Sequence, residues 1–184
     1  KGGNNAPAKD FVPPAESEVN VDENFTATSK TLVLYFSKTN TTKSVANIIR
    51  TETDADIFEI ERKTPYPEAY TPTTEEAKEE KEANVRPELK TYLPKKIIEQ
   101  YETIFVGFPI WWGTVPMPVL SFLNFYDFDG KTIYTFCTAA SSSISGSTSD
   151  IRSNASGANV IEGKRFSAND ESGIKSWLLS LSLK

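Results

Sequence analysis

From residue 31 onward the chain alternates between short apolar runs and stretches in which apolar residues recur every three or four positions. The runs 31–36, 56–61, 103–108, 131–137 and 159–166 have the length and the β-branched or aromatic content of buried strands. The stretches 41–53, 115–124, 145–153 and 170–182 have the helical period. In the first of these Val45, Ile48 and Ile49 share a face; in the last Ile174, Trp177, Leu178 and Leu181 do, which makes Trp177 a core residue. Pro116 and Pro118 fall in the first turn of the helix over 115–124, where a missing N–H breaks no helical hydrogen bond. Strands alternating with helices predict an α/β domain, a parallel sheet covered on both faces. At 184 residues the chain holds one such domain of about 150 residues and a leading segment.

That leading segment, 1–30, is polar, rich in Pro and Asn, and poor in apolar residues, and it reads as a flexible tether or a docked arm. Val19, Val21 and Phe25 are the residues able to lie along the domain. The Gly-Gly-Asn-Asn start resembles the stalk of a lipid-anchored extracytoplasmic bacterial protein, with an ordinary cytoplasmic leader as the alternative. No run of membrane-spanning length is present in the sequence. The longest connection, 62–100, contains Thr64-Pro-Tyr-Pro67 and a charged helical run from Glu75 to Glu82, with Lys78 and Glu82 spaced to pair. Tyr66 and Tyr70 are the aromatics there that are placed to reach a ligand.

Composition narrows the chemistry. The net charge is −5 and no basic cluster with interleaved aromatics occurs, which argues against nucleic acid as a partner. Without histidine there are no Ser–His or Cys–His nucleophiles and no imidazole metal site. Cys137 is the only cysteine, so CxxC redox pairs and thiolate zinc clusters are excluded, and it reads as a small buried hydrophobe at a strand end. Redox chemistry in such a chain has to come from a bound cofactor.

Two segments could hold one. Ser37-Lys38-Thr39-Asn40-Thr41-Thr42 joins the first strand to the first helix. Unpaired amides, the positive end of the helix dipole and four neighbouring hydroxyls make such a corner a phosphate cradle, although the same pattern also describes an ordinary capped helix. The second segment is Pro109-Ile110-Trp111-Trp112-Gly113-Thr114, at the end of the strand over 103–108. Two tryptophans in a loop at the C-terminal edge of a parallel sheet point to a flat apolar ligand there.

With these residues the chain resembles the flavodoxin family, in the short branch that carries a Phe-Pro-Ile-Trp-Trp-Gly segment, from about Lys30 to Lys184. The resemblance implies a three-layer fold with a five-stranded parallel sheet of order 2-1-3-4-5, the order for which that family is known. It implies flavin mononucleotide (FMN) as cofactor and no catalytic side chain. Ser37, Thr39, Asn40, Thr41 and Thr42 would form the phosphate loop, and Pro109, Ile110, Trp111, Trp112 and Gly113 the first ring loop. Thr138, Ala139, Ala140 and Ser141 would open the second ring loop, 138–143.

The chain departs from the family in two places. Asn40 replaces the glycine of the Ser/Thr-x-Thr-Gly-x-Thr pattern, and asparagine enters the left-handed region at a cost of roughly 1 kcal/mol or less. The second ring loop reads Thr-Ala-Ala-Ser-Ser-Ser where similar proteins read Thr-Ser-Gly-Gly-Ser-Gly. Each change costs about 1–2 kcal/mol if its backbone is left-handed, and nothing if the path never needed glycine. The expected function is an FMN-dependent electron carrier serving redox partner proteins or small acceptors, rather than a substrate-specific oxidoreductase. The alternatives are an NAD(P)H-dependent quinone or nitro reductase on the same fold, and a flavin-free binding module with a degenerate ring loop.

Overall fold

Alternating side chains of the central strands feed two separate apolar clusters, one on each face of the sheet. The structure, a computed structural model, describes residues 5–183. Its strands are β1 (Thr31–Tyr35), β2 (Asp56–Glu59), β3 (Thr103–Pro109), β4 (Thr132–Thr138) and β5 (Asn159–Phe166). All pair in parallel, in the order β2-β1-β3-β4-β5, the order expected. The helices are α1 (Thr41–Thr53), α2 (Tyr70–Glu82), the single turn α3 (Lys95–Ile98), α4 (Met117–Asn124), α5 (Ser145–Asn154) and α6 (Glu171–Ser180).

Val33, Tyr35, Phe105 and Phe136 point to the face covered by α1 and α6, where Val45, Ala46, Ile49, Ile174, Trp177 and Leu178 close the cluster. Trp177 is therefore a core residue, edge-on to Phe105 at 5.7 Å between centroids. Gly107 lies beneath the ring of Phe136; a Cβ there would come within 2.0 Å of it, so the strand leading to the site tolerates no side chain at that point. Leu32, Leu34, Ile104, Val106, Phe108 and Ile133 point to the opposite face. There α4 is buried on nearly all sides, with Pro118 in its first turn. Cys137 belongs to this second cluster, and burial pushes its thiol up to about 12.

Residues 5–30, the described part of the expected tether or arm, run over this second face; residues 1–4 lie outside the described residues. Asn5 is buried against α5, donating to Asp150 from its backbone N–H (3.0 Å) and its amide (2.8 Å). Val21 bridges Tyr92, Phe25 packs edge-on to Phe58 at 6.1 Å, and the Thr28 and Ser29 amides bind the Asp56 carboxylate. No helix among the described residues is long and apolar enough to cross a membrane.

Candidate functional site

At the C-terminal edge of the sheet, where α1 leaves β1 for one face and the chain after β3 leaves for the other, there is a cavity of about 640 Å³. This is the switch point of the strand order, the place where an open parallel sheet leaves a crevice.

Ser37, Lys38, Thr39, Thr41 and Thr42 line one side of it. They belong to the corner between β1 and α1, which closes on itself: the Lys43 amide donates to Ser37 Oγ (3.3 Å). Asn40 takes up the left-handed conformation (φ 66°), the geometry a family glycine would supply, and its side chain makes no capping hydrogen bond. The Lys43 amide is thus taken by Ser37, and the Thr41 and Thr42 amides stand ahead of it at the N-terminus of α1 with the helix dipole behind them. Thr42, almost fully buried, meets Thr138 hydroxyl to hydroxyl at 2.8 Å, which ties this corner to the end of β4.

The apolar side is built by Pro109, Ile110, Trp111 and Trp112. Trp111 and Thr114 exchange backbone hydrogen bonds (2.9 and 3.1 Å) around a two-residue turn in which Trp112 (φ 53°) and Gly113 (φ 77°) both have positive φ. Glycine suits such a turn; for tryptophan the left-handed region costs about 1–2 kcal/mol. Contacts on every side hold it there. Trp111 packs edge-on to Phe36 (5.2 Å) and Tyr66 (5.1 Å). The Trp112 indole N–H donates to the Thr74 carbonyl (2.8 Å), and Lys81 Nζ donates to the Trp112 carbonyl (2.6 Å). The Thr114 hydroxyl donates to the Asp150 carboxylate. The two indoles therefore differ: Trp111 is wedged against the core, while Trp112 is 48% exposed at the rim.

The third side comes from α2 and the residues before it: Glu68, Tyr70, Thr73, Thr74 and Ala77. Of the two tyrosines placed near a ligand by the sequence, Tyr70 lines the cavity and is 84% exposed. Tyr66 is buried behind Trp111 with its hydroxyl on Glu80 (2.5 Å) and the Arg62 guanidinium over its ring at 3.5 Å. Burial, then the Glu80 carboxylate, raises the Tyr66 phenol far above its usual range, so it serves as a fixed donor.

Nine of the fourteen residues proposed from sequence line the cavity: Ser37, Thr39, Thr41, Thr42, Pro109, Ile110, Trp111, Trp112 and Thr138. Asn40, Gly113, Ala139, Ala140 and Ser141 are not among the lining residues. None of residues 139–143 has a positive φ, so the path of this loop does not call for glycine. Sequence reasoning missed Lys38, Glu68 and, from α2, Thr73, Thr74 and Ala77. Thr73, Thr74 and Ala77 form a small-residue face on an otherwise charged helix, and that spacing was the available signal.

The lining fits a phosphorylated flat ring: neutral donors and a helix N-terminus at one end, an apolar aromatic wall at the other. The sequence profile of the family described as Flavodoxin matches residues 30–181. A candidate flavoprotein from Bacteroides uniformis is 30% identical, with a TM-score of 0.72 over 82% of this chain and 98% of its own. Another from Bacteroides eggerthii is 29% identical, with a TM-score of 0.72 over 85% and 99%. A Lactobacillus acidophilus flavoprotein, solved in complex with FMN, is 26% identical, with a TM-score of 0.64 over 80% and 97%. No curated protein matches the chain.

Proposed function

Since the chain belongs to the flavodoxin family, we propose that its cavity binds FMN and that the protein carries electrons between redox partner proteins or small acceptors. The observation that carries this reading is one cavity bounded by both the β1–α1 hydroxyl corner and the tryptophan turn. The FMN complex of the Lactobacillus relative supports the choice of flavin.

Ser37, Thr39, Thr41 and Thr42 supply hydroxyl donors for the phosphate, the α1 amides add main-chain donors, and Lys38 brings the one basic side chain among the described residues that line the cavity. Pro109, Ile110 and Trp111 exclude water from the ring, and Trp112 covers its exposed margin. Bound there, the flavin supplies the one- and two-electron redox chemistry. The protein's negative net charge (−5) disfavours further negative charge in the cavity and so favours electron donation over retention.

The test is to mix the protein with FMN, remove the excess by gel filtration and record the visible spectrum of the protein fraction. Flavin absorbance travelling with the protein is expected, near one flavin per chain. A colourless fraction would overturn the proposal.

A further inference from the structure

We infer that the N-terminal arm is a working part of the site. Asn5, acting through the buried Asp150 carboxylate, holds the Trp111–Thr114 turn in place, so Asn5 and Asp150 are positioning residues for the ring. The role toward the ring rests on the flavin reading above; the hold on the turn does not.

Asp150 projects from α5 and is 1% exposed. Its oxygens are met by neutral donors from two remote parts of the chain. Oδ1 accepts the Asn5 backbone N–H (3.0 Å), while Oδ2 accepts the Asn5 amide (2.8 Å) and the Thr114 hydroxyl. Asn5 is gripped from its other side as well, its carbonyl accepting Arg86 Nη2 (2.8 Å) and Asn154 Nδ2 (3.0 Å). The next carbonyl, that of Ala6, accepts Asn84 Nδ2 (2.8 Å). A segment merely lying on the surface would not have its main chain and side chain satisfied at once by groups as buried as Asp150 and Asn154.

The consequence follows from the cost of an unpaired buried carboxylate. Replacing the Asn5 side chain takes the amide off Oδ2 and leaves that oxygen to Thr114, while the Asn5 backbone N–H stays on Oδ1, so water or a rearranged Thr114 must make up the loss. Thr114 closes the turn whose tip, Trp112, sits at φ 53°. A strained turn persists only while its surroundings over-determine it, and Thr114–Asp150 is the restraint at its foot. Loosening that foot moves the aromatic wall of the cavity.

Three tryptophans make the experiment selective, because Trp177 lies on the other face of the sheet. Indole N–H resonances would be recorded on ¹⁵N-labelled full-length protein for the wild type, Asn5→Asp, which sets a second carboxylate against Asp150, and the milder Asn5→Ala. The inference expects the Trp111 and Trp112 resonances to move in both variants, further in Asn5→Asp, with Trp177 unmoved. Unmoved Trp111 and Trp112, or all three indoles shifting together in Asn5→Ala, would overturn it. FMN titration separates the two readings. Wild-type protein that binds no FMN refutes the flavin proposal and leaves the indole result to decide the hold on the turn. If the wild type binds, Asn5→Asp is expected to bind roughly three- to ten-fold more weakly; equal affinity would refute the positioning role.

Discussion

The hydroxyl end of the cavity is assembled from one run of chain, 37–42, closed by its own Ser37–Lys43 hydrogen bond and by a left-handed Asn40. The tryptophan end is assembled from several. Its turn is held by Thr74 and Lys81 from α2, by Phe36 and Tyr66 behind Trp111, and by Asp150 from α5. The difference shows where each end stores its stability. A strand–helix corner carries most of its geometry in adjacent residues, with the Thr42–Thr138 hydroxyl contact as its tie to β4. A turn with tryptophan at positive φ exists only because tertiary contacts outweigh the local preference.

That contrast can be broken most forcefully at Asp150. Asp150→Ala leaves the Asn5 and Thr114 donors unpaired in a buried site and should cost about 3 kcal/mol in urea unfolding. A loss below about 1 kcal/mol would mean that the tryptophan end needs no remote support. Next in size is the pair of indoles. Trp111→Ala, which opens a half-buried contact with Phe36 and Tyr66, should cost about 2 kcal/mol. Trp112→Ala at the rim should cost less than about 1 kcal/mol. Both should weaken FMN binding in titration, Trp111→Ala the more; no change in either would exclude contact between the indoles and the ring.

How much could be read from the chain follows the same division. The helix 41–53 and the strand 159–166 stand where their periodicity put them, and the hydroxyl corner was visible as Ser and Thr residues between a strand and a helix. Only the charged part of α2, 75–82, was legible. Its first turn, from Tyr70, contains Pro72 and lacks an apolar stripe, so the small residues Thr73, Thr74 and Ala77 were its one local signal. The Trp-Trp-Gly segment signalled an aromatic wall but not which indole is wedged and which is exposed. The Asn5–Asp150 contact joins residues 145 positions apart, and no periodicity or propensity reports such a pair. The glycine-free loop is resolved by its backbone alone, since residues 139–143 stay out of the left-handed region.

Smaller effects test the self-sufficient end. Asn40→Gly trades relief of a left-handed asparagine against a more flexible unfolded chain, so its stability should lie within about 0.5 kcal/mol of the wild type. FMN affinity should change as little. A large loss would show that the Asn40 side chain has a role beyond its φ.

Least of all is expected from Glu59, at the end of β2, whose carboxyl is held above its usual value, first by burial and then by repulsion from Glu61. The folded state therefore binds this proton more tightly than the unfolded state. Stability should fall slightly as pH rises from the ordinary carboxylate value through the raised one. Glu59→Gln should flatten that part of the pH–stability curve, and an unchanged slope would count against it.

The central proposition is that the two ends act on one ligand, the hydroxyl corner on its phosphate and the tryptophan turn on its ring. Titrating the protein with FMN and with riboflavin, which lacks the phosphate, tests this most directly. FMN should bind at one site per chain, about 100-fold or more tighter than riboflavin, a difference of roughly 2.7 kcal/mol assigned to the corner. Equal affinity for the two, or binding of neither, would contradict it.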